Sequence, residues 1–190
     1  MLVIEVVTQF LAILAVIAQI ALAVLLFAVL VVLVAGERAL LAAVGRAIVG
    51  AELWLAFAVA LLAVGGSLFF SEYAHFVPCK LCWFQRIAMY PLVPILLIGA
   101  LRRERTAALY GLVLSIAGGL ISTWHILVER GVIEEAQSCQ ISAPGGCALK
   151  WINEFGYVTI PVLALTAFAL ITALLLFAWL RPGEADDETE

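Results

Sequence analysis

The sequence predicts an all-α integral membrane protein: a four-helix transmembrane bundle plus one additional N-terminal transmembrane helix. Composition is the first ground. Of 190 residues, 66% are hydrophobic and only 13% charged, whereas an average soluble domain holds roughly 45–50% apolar and about 25% charged residues. That excess is too large for one soluble core. The second ground is length: apolar runs recur along the chain, each near the roughly 20 residues that cross a bilayer. The third is punctuation, because the charged residues gather in the connections between these runs.

The first run, Val6 to Ala35, is broken only by Thr8, Gln9 and Gln19. It reads as a span with tilt or overhang rather than a signal peptide, since Glu5 stands where a basic residue is usual and the run is too long. Gly36-Glu37-Arg38 closes it, and a semi-polar connector with Arg38 and Arg46 leads to the second span, Leu53 to Phe70. Ser71 to Pro78 is expected to be a short polar turn. The third span runs from Cys82 to Leu101, with kinks expected at Pro91 and Pro94. After Arg102-Arg103-Glu104-Arg105 comes the fourth span, Ala107 to Val128. A polar loop, Glu129 to Gly156, precedes the fifth, Tyr157 to Leu180. Within that loop, Lys150 to Phe155 is expected to form an interfacial helix with Trp151, Ile152 and Phe155 on one face.

The chain divides on this reading into an added helix and connector (1–50), a four-helix core (51–181) and an acidic tail (182–190). Five of the fourteen acidic residues lie between Glu184 and Glu190, so the tail reads as solvated and the net charge of −4 says little about partners. The one basic cluster, Arg102 to Arg105, is too small for nucleic-acid binding, and membrane lipid is the expected surrounding.

Topology follows from the basic connections. Six basic residues, Arg38, Arg46, Arg102, Arg103, Arg105 and Arg181, fall on one side, and Lys80, Arg86, Arg130 and Lys150 on the other. The positive-inside rule puts the first set in the cytoplasm, with the N-terminus outside and the C-terminus inside. All four cysteines then face the compartment where disulfides persist.

The chemistry concentrates in Cys79-Lys80-Leu81-Cys82-Trp83-Phe84-Gln85-Arg86. If a helix starts at Pro78, its 100° step puts Cys79, Cys82 and Arg86 within about 60° of one another. Two thiols and a permanent cation then share one stripe, and the helix start favours a thiolate. The plainer readings are a structural disulfide for the cysteines and snorkelling for Arg86. Cys139 and Cys147 flank Gln-Ile-Ser-Ala-Pro-Gly-Gly, in which Pro144-Gly145-Gly146 can turn the chain back. That pair is either a structural bridge or an exposed, strained disulfide exchanged with another protein. A zinc cage of the four cysteines is disfavoured, because the second pair is too widely spaced and the compartment oxidising, so no metal is expected. Haem attachment is excluded in its usual form, as Trp83 stands where that motif needs histidine. His125 can relay protons or bond a ligand carbonyl, Gln85 can donate to a ligand, and His75 lies in the turn before Cys79.

These residues carry a family resemblance. Pro78-Cys79-x-Leu81-Cys82-Trp83-x-Gln85-Arg86-Ile87-x-Met89-Tyr90-Pro91-Leu92 resembles the signature of the DsbB family of bacterial disulfide-bond formation proteins, in particular its BdbC-type branch. Gly156-Tyr157-x-Thr159-Ile160-Pro161 is a second match. The resemblance spans Glu52 to Leu180. It implies a four-helix bundle in the bacterial cytoplasmic (inner) membrane whose Cys79–Cys82 pair is oxidised by a quinone, ubiquinone or menaquinone. Cys82 would lie nearest the quinone, supported by Arg86. Cys139 would form the mixed disulfide with a DsbA-like thioredoxin-fold thiol oxidase, and Cys147 would pass reducing equivalents inward. The first span is extra to that core, and the closely spaced second pair follows the BdbC-type branch. A vitamin-K-epoxide-reductase-like enzyme, whose helix-borne pair comes late in the bundle, and a scaffold with two structural disulfides are the alternatives.

Overall fold

The computed structural model describes residues 2–36 and 39–180. Arg38 and Arg181, used for topology, and the acidic tail 182–190 lie outside the described residues. Among the described residues the secondary structure is helical apart from one isolated bridge, and five helical segments are long and apolar enough to cross a membrane. They are α1 (Leu2–Ala35), α3 (Glu52–Leu68, continued by a wider π-turn, Phe69–Tyr73), α4 with α5 (Lys80–Met89, Leu92–Arg102), α6 (Thr106–Glu129) and α8 (Ile160–Leu180). Two short helices complete the order: α2 (Ala39–Ile48) and α7 (Gln137–Gln140).

The bundle closes around α6 and α8, its most extensive helix pair. In lipid, helices gain little from burying apolar side chains, so close packing depends on small residues that let backbones approach. On α6 these are Gly111, Ser115, Gly118 and Ser122, all buried and spaced three or four apart. Phe168 of α8 lies fully buried against Gly118, so close that a β-carbon there would overlap its ring. Thr172 Oγ1 donates to Ser115 Oγ at 2.9 Å across the same seam. Ala56 and Ala60 of α3, with Leu92 and Leu96 of α5, complete the core.

Breaks follow local chemistry. Pro91 lacks an N–H and falls at the turn between α4 and α5. Pro94, expected to kink the span as well, lies in the first turn of α5, where a missing N–H is tolerated. Other expectations shift. The polar turn expected from Ser71 starts later, because α3 continues through Tyr73. The connector after the first span is a helix, α2, and Phe177 of α8 packs against its Gly45. The last span begins at Ile160 rather than Tyr157. Lys150–Phe155 forms no helix: Phe155 and Gly156 both take positive φ, and Glu154 bridges to Val158 as a tight turn. Ile152 is consequently buried while Phe155 stands exposed, so the two do not share a face.

Replacing Gly118 with Leu should therefore force Phe168 out of its seat. Overpacking of this kind costs about 1–3 kcal/mol, read as a lower melting temperature in detergent; an unchanged melting temperature would show that the α6–α8 seam tolerates the added bulk.

Candidate functional site

The N-terminus of α4 organises the first cysteine pair. Cys79 is extended and caps the helix, its sulfur accepting from the Cys82 N–H at 3.3 Å. The two sulfurs are 2.9 Å apart and unbonded. Cys79 is buried and Cys82 half-buried. The hydrogen bond with the Cys82 thiol, and behind it the contact with His125 and the positive charge of that ring when protonated, pull the Cys79 thiol down to about 4 against the opposing effect of burial. Local geometry thus favours the thiolate on Cys79, the capping sulfur, when both thiols are free.

The loop between α6 and α8 carries the second pair. Cys139, on α7, and Cys147 are joined as a disulfide. The bridge is not exposed as the sequence suggested: Cys139 is 4% and Cys147 1% accessible. The cause is Glu135, whose carboxylate accepts from the backbone N–H groups of Cys147 and Ala148 and so folds the loop inward. Gly146 permits this wrap, because its φ of +67° is left-handed and a β-carbon there would strike the Glu135 carboxylate. Ser142 accepts from the Lys80 N–H at 3.1 Å and ties the loop to the start of α4. Cys79, Cys139 and Cys147 consequently pack into one buried cluster with Val128 and Ala143.

His125 of α6 joins the pairs. Its Nε2 lies 3.0 Å from the Cys147 carbonyl and 3.7 Å from the Cys79 sulfur, and its Nδ1 3.3 Å from Gln85 Nε2. One tautomer satisfies this arrangement, with Nε2 donating to the carbonyl and Nδ1 accepting from Gln85. Glu129, one turn further along α6, lines a small cleft with Cys79, Cys82, His125 and Lys150.

Cys82 also lines a second, larger space, an apolar cavity of about 420 Å³ between α1, α3, α4 and α8. Its few polar groups include Ser67, Ser71, Gln85 and Arg86. Arg86 does not snorkel. Its Nε donates to Ser67 Oγ and its Nη2 to the Ser67 carbonyl, both at 2.9 Å, and its guanidinium lies 5.2 Å from the Trp83 ring centre. Phe70, Phe76 and Trp151 stack in sequence at the cavity's edge. Tyr90, also on the wall, buries its hydroxyl without a hydrogen-bond partner. An apolar cavity of this size with a few convergent polar groups fits a flat, apolar ligand bearing polar oxygens.

Of the residues singled out from sequence, Cys79, Cys82, Gln85 and His125 meet at one point, with Cys139–Cys147 packed above them. Arg86 sits on the cavity beside Cys82. His125, expected as a cofactor contact, is turned away from that cavity towards Cys79 and Cys147. His75 is exposed in the turn, with φ of 57°. Sequence reasoning missed Glu135, Ser67 and Glu129. An acid four residues before a cysteine was a visible signal for Glu135, but a lone serine inside an apolar span gave none for Ser67.

Comparison with known proteins identifies the family. The family model described as disulfide bond formation protein DsbB matches residues 50–179. Disulfide bond formation protein C of Bacillus subtilis (strain 168) is 42% identical over 136 residues, covering 71% of this chain and 95% of that protein. A probable disulfide formation protein of Oceanobacillus iheyensis is 44% identical over 126 residues, 65% of this chain and 86% of its own. Another, of Deinococcus radiodurans, is 41% identical over 139 residues, 68% and 88% respectively. No solved structure matches the chain. Because the family model covers well over half of the sequence, neither the vitamin-K-epoxide-reductase-like reading nor the inert scaffold survives: the chain belongs to the DsbB family and is a multi-pass membrane oxidoreductase that generates disulfides.

Proposed function

We propose that this chain reoxidises a DsbA-like, thioredoxin-fold thiol oxidase outside the cytoplasm of a bacterial cell and delivers the electrons to a membrane quinone. One observation carries the reading: Cys79 packs with the loop disulfide while its neighbour Cys82 opens onto the apolar cavity. The first pair thus has one sulfur in the loop cluster and one on the cavity. In this reading residues 51–181 are the redox core, residues 1–50 are added to it, and the basic connections keep the cysteines outside, with the N-terminus out and the C-terminus in.

The relay is two thiol–disulfide exchanges. A thiolate of the reduced partner attacks Cys139, and the partner's second thiol completes its own disulfide, leaving Cys139 and Cys147 as thiols. Cys147 is held by Glu135 at its N–H and by His125 at its carbonyl, which supports Cys139 as the sulfur that swings out and Cys147 as the one that stays. Cys147 next attacks Cys79 of the oxidised first pair, expelling Cys82. While Cys79 is bonded to the loop, Cys82 is the free sulfur, and it lies on the cavity with Arg86. Cys139 then attacks Cys147, restoring the loop disulfide and leaving Cys79 and Cys82 reduced, the combination of bonds seen here.

A bound quinone supplies an acceptor for two electrons and two protons, and a partner near about −120 mV requires an acceptor that oxidising. Arg86, fixed by Ser67, would favour negative charge on a ligand oxygen, Tyr90 has a hydroxyl to offer, and Gln85 links the site to His125. His125, between the Cys79 sulfur and the Cys147 carbonyl, can hold a proton released as thiolates form and are consumed.

Purified protein given a reduced thioredoxin-fold partner should bleach a quinone's ultraviolet band catalytically, and Cys79→Ser or Cys82→Ser should abolish this. Normal turnover in either variant would sink the assignment. Ubiquinone and menaquinone analogues run side by side identify the acceptor. Arg86→Ala should raise the apparent quinone KM by about tenfold or more, in line with losing a buried charged hydrogen bond; an unchanged KM removes Arg86 from the site. Because the Cys79 pKa is lowered, its thiolate persists above about pH 4 and is lost only below it, whereas a free cysteine loses it below about 8.5. Ultraviolet thiolate absorbance of the reduced protein should hold down to about pH 5, and His125→Ala should move the midpoint upward. A midpoint at the free-cysteine value would contradict the capping geometry.

A further inference from the structure

We infer that α1, the helix added ahead of the family core, is the outer wall of the acceptor cavity, and that Ala15 and Ala18 set the girth of quinone it admits. The inference rests on reading that cavity as the quinone site. The family match begins at residue 50, so nothing in it assigns α1 a role.

The wall is built by spacing. Leu11, Leu14, Ala15, Ala18 and Ala21 line the cavity, and their intervals of three and four put them on one face of the helix. Ser67, Cys82 and Arg86 line the same space, so α1 shares one cavity with the reactive end. Leu11 also lies against Gly66, beside the serine that anchors Arg86; a β-carbon at Gly66 would come within 3.0 Å of the Leu11 side chain.

The helix is pinned rather than merely adjacent. Gln19 is a polar side chain inside an apolar span, where an unsatisfied amide is costly. Both ends of it are used: Nε2 donates to Thr166 Oγ1 at 3.0 Å, and Oε1 accepts from the Tyr157 hydroxyl at 2.8 Å. These two bonds tie α1 to α8 and to the turn before it, one turn from Ala15 and next to Ala18. An aliphatic helix with no task beyond anchoring needs neither this clamp nor a run of alanines towards a cavity. Small side chains there leave space for a ring system, and larger ones would fill it.

The test uses the full chain in lipid nanodiscs and measures binding directly. A short-chain ubiquinone analogue is titrated while tryptophan fluorescence is followed, since Trp151 lies on the cavity. Ala15→Phe and Ala18→Phe should each raise Kd by about tenfold or more, as expected when bulk occupies a ligand pocket. Ala23→Phe, an equal change at an exposed position of α1, should stay within about twofold. In the unmutated protein, an azido-quinone photoprobe should label the segment from Leu11 to Ala21, which keeps the question open to refutation if a phenylalanine variant fails to fold. If the unmutated protein shows no saturable binding, the acceptor reading falls and this inference with it. If it binds, but both wall variants keep the original Kd or the photoprobe labels only α3, α4 and α8, the acceptor reading stands and the role of α1 is overturned.

Discussion

The cysteine end of the bundle depends on one buried side chain, His125, held between the Cys79 sulfur and the Cys147 carbonyl. An imidazole in apolar surroundings is stable only if both nitrogens find partners. Here Nε2 meets the Cys147 carbonyl and the Cys79 sulfur, and Nδ1 meets Gln85. Satisfying that one ring fixes the loop, the start of α4 and the middle of α4 relative to α6. Remove it and the carbonyl of Cys147, the amide of Gln85 and the sulfur of Cys79 each lose a partner at once.

The rest of the molecule keeps this junction rigid by avoiding bulk. Small residues on α6 bring α8 into direct contact, so the helix bearing His125 has little freedom to slide. Arg86 is treated similarly. A guanidinium at this depth is expensive, and its cost is offset by two hydrogen bonds to a single serine on α3 and by the face of Trp83. His125 and Arg86 are therefore each tied to a neighbouring helix.

Much of this was legible in the sequence. Apolar runs located the spans because length and hydropathy are local properties, and Cys79-x-x-Cys82 at a helix start pointed to a stabilised thiolate. What failed was long-range or conformational. The helix expected over Lys150–Phe155 rested on periodicity, but two consecutive left-handed residues, one of them a phenylalanine, turned the chain instead. The loop disulfide looked exposed because it sits in a polar segment, and only the carboxylate of Glu135 folding back on Cys147 buries it. His125 was expected to relay protons or bond a ligand carbonyl, and its contacts with Cys79, Cys147 and Gln85 depend on neighbours across the bundle that the sequence does not name. Ser67 was invisible for the same reason.

The burial of Cys139 and Cys147 has a consequence for selectivity. A disulfide near the oxidising end of the scale would react with any accessible thiol, and every stray reaction would spend an oxidising equivalent. With both sulfurs sealed beneath the loop, small thiols in the surroundings find nothing to attack. Reaching them requires part of the loop to move, and its rim includes Ile141 at 81% accessible. The loop acts as insulation on a live contact: leakage is suppressed by shape rather than by potential.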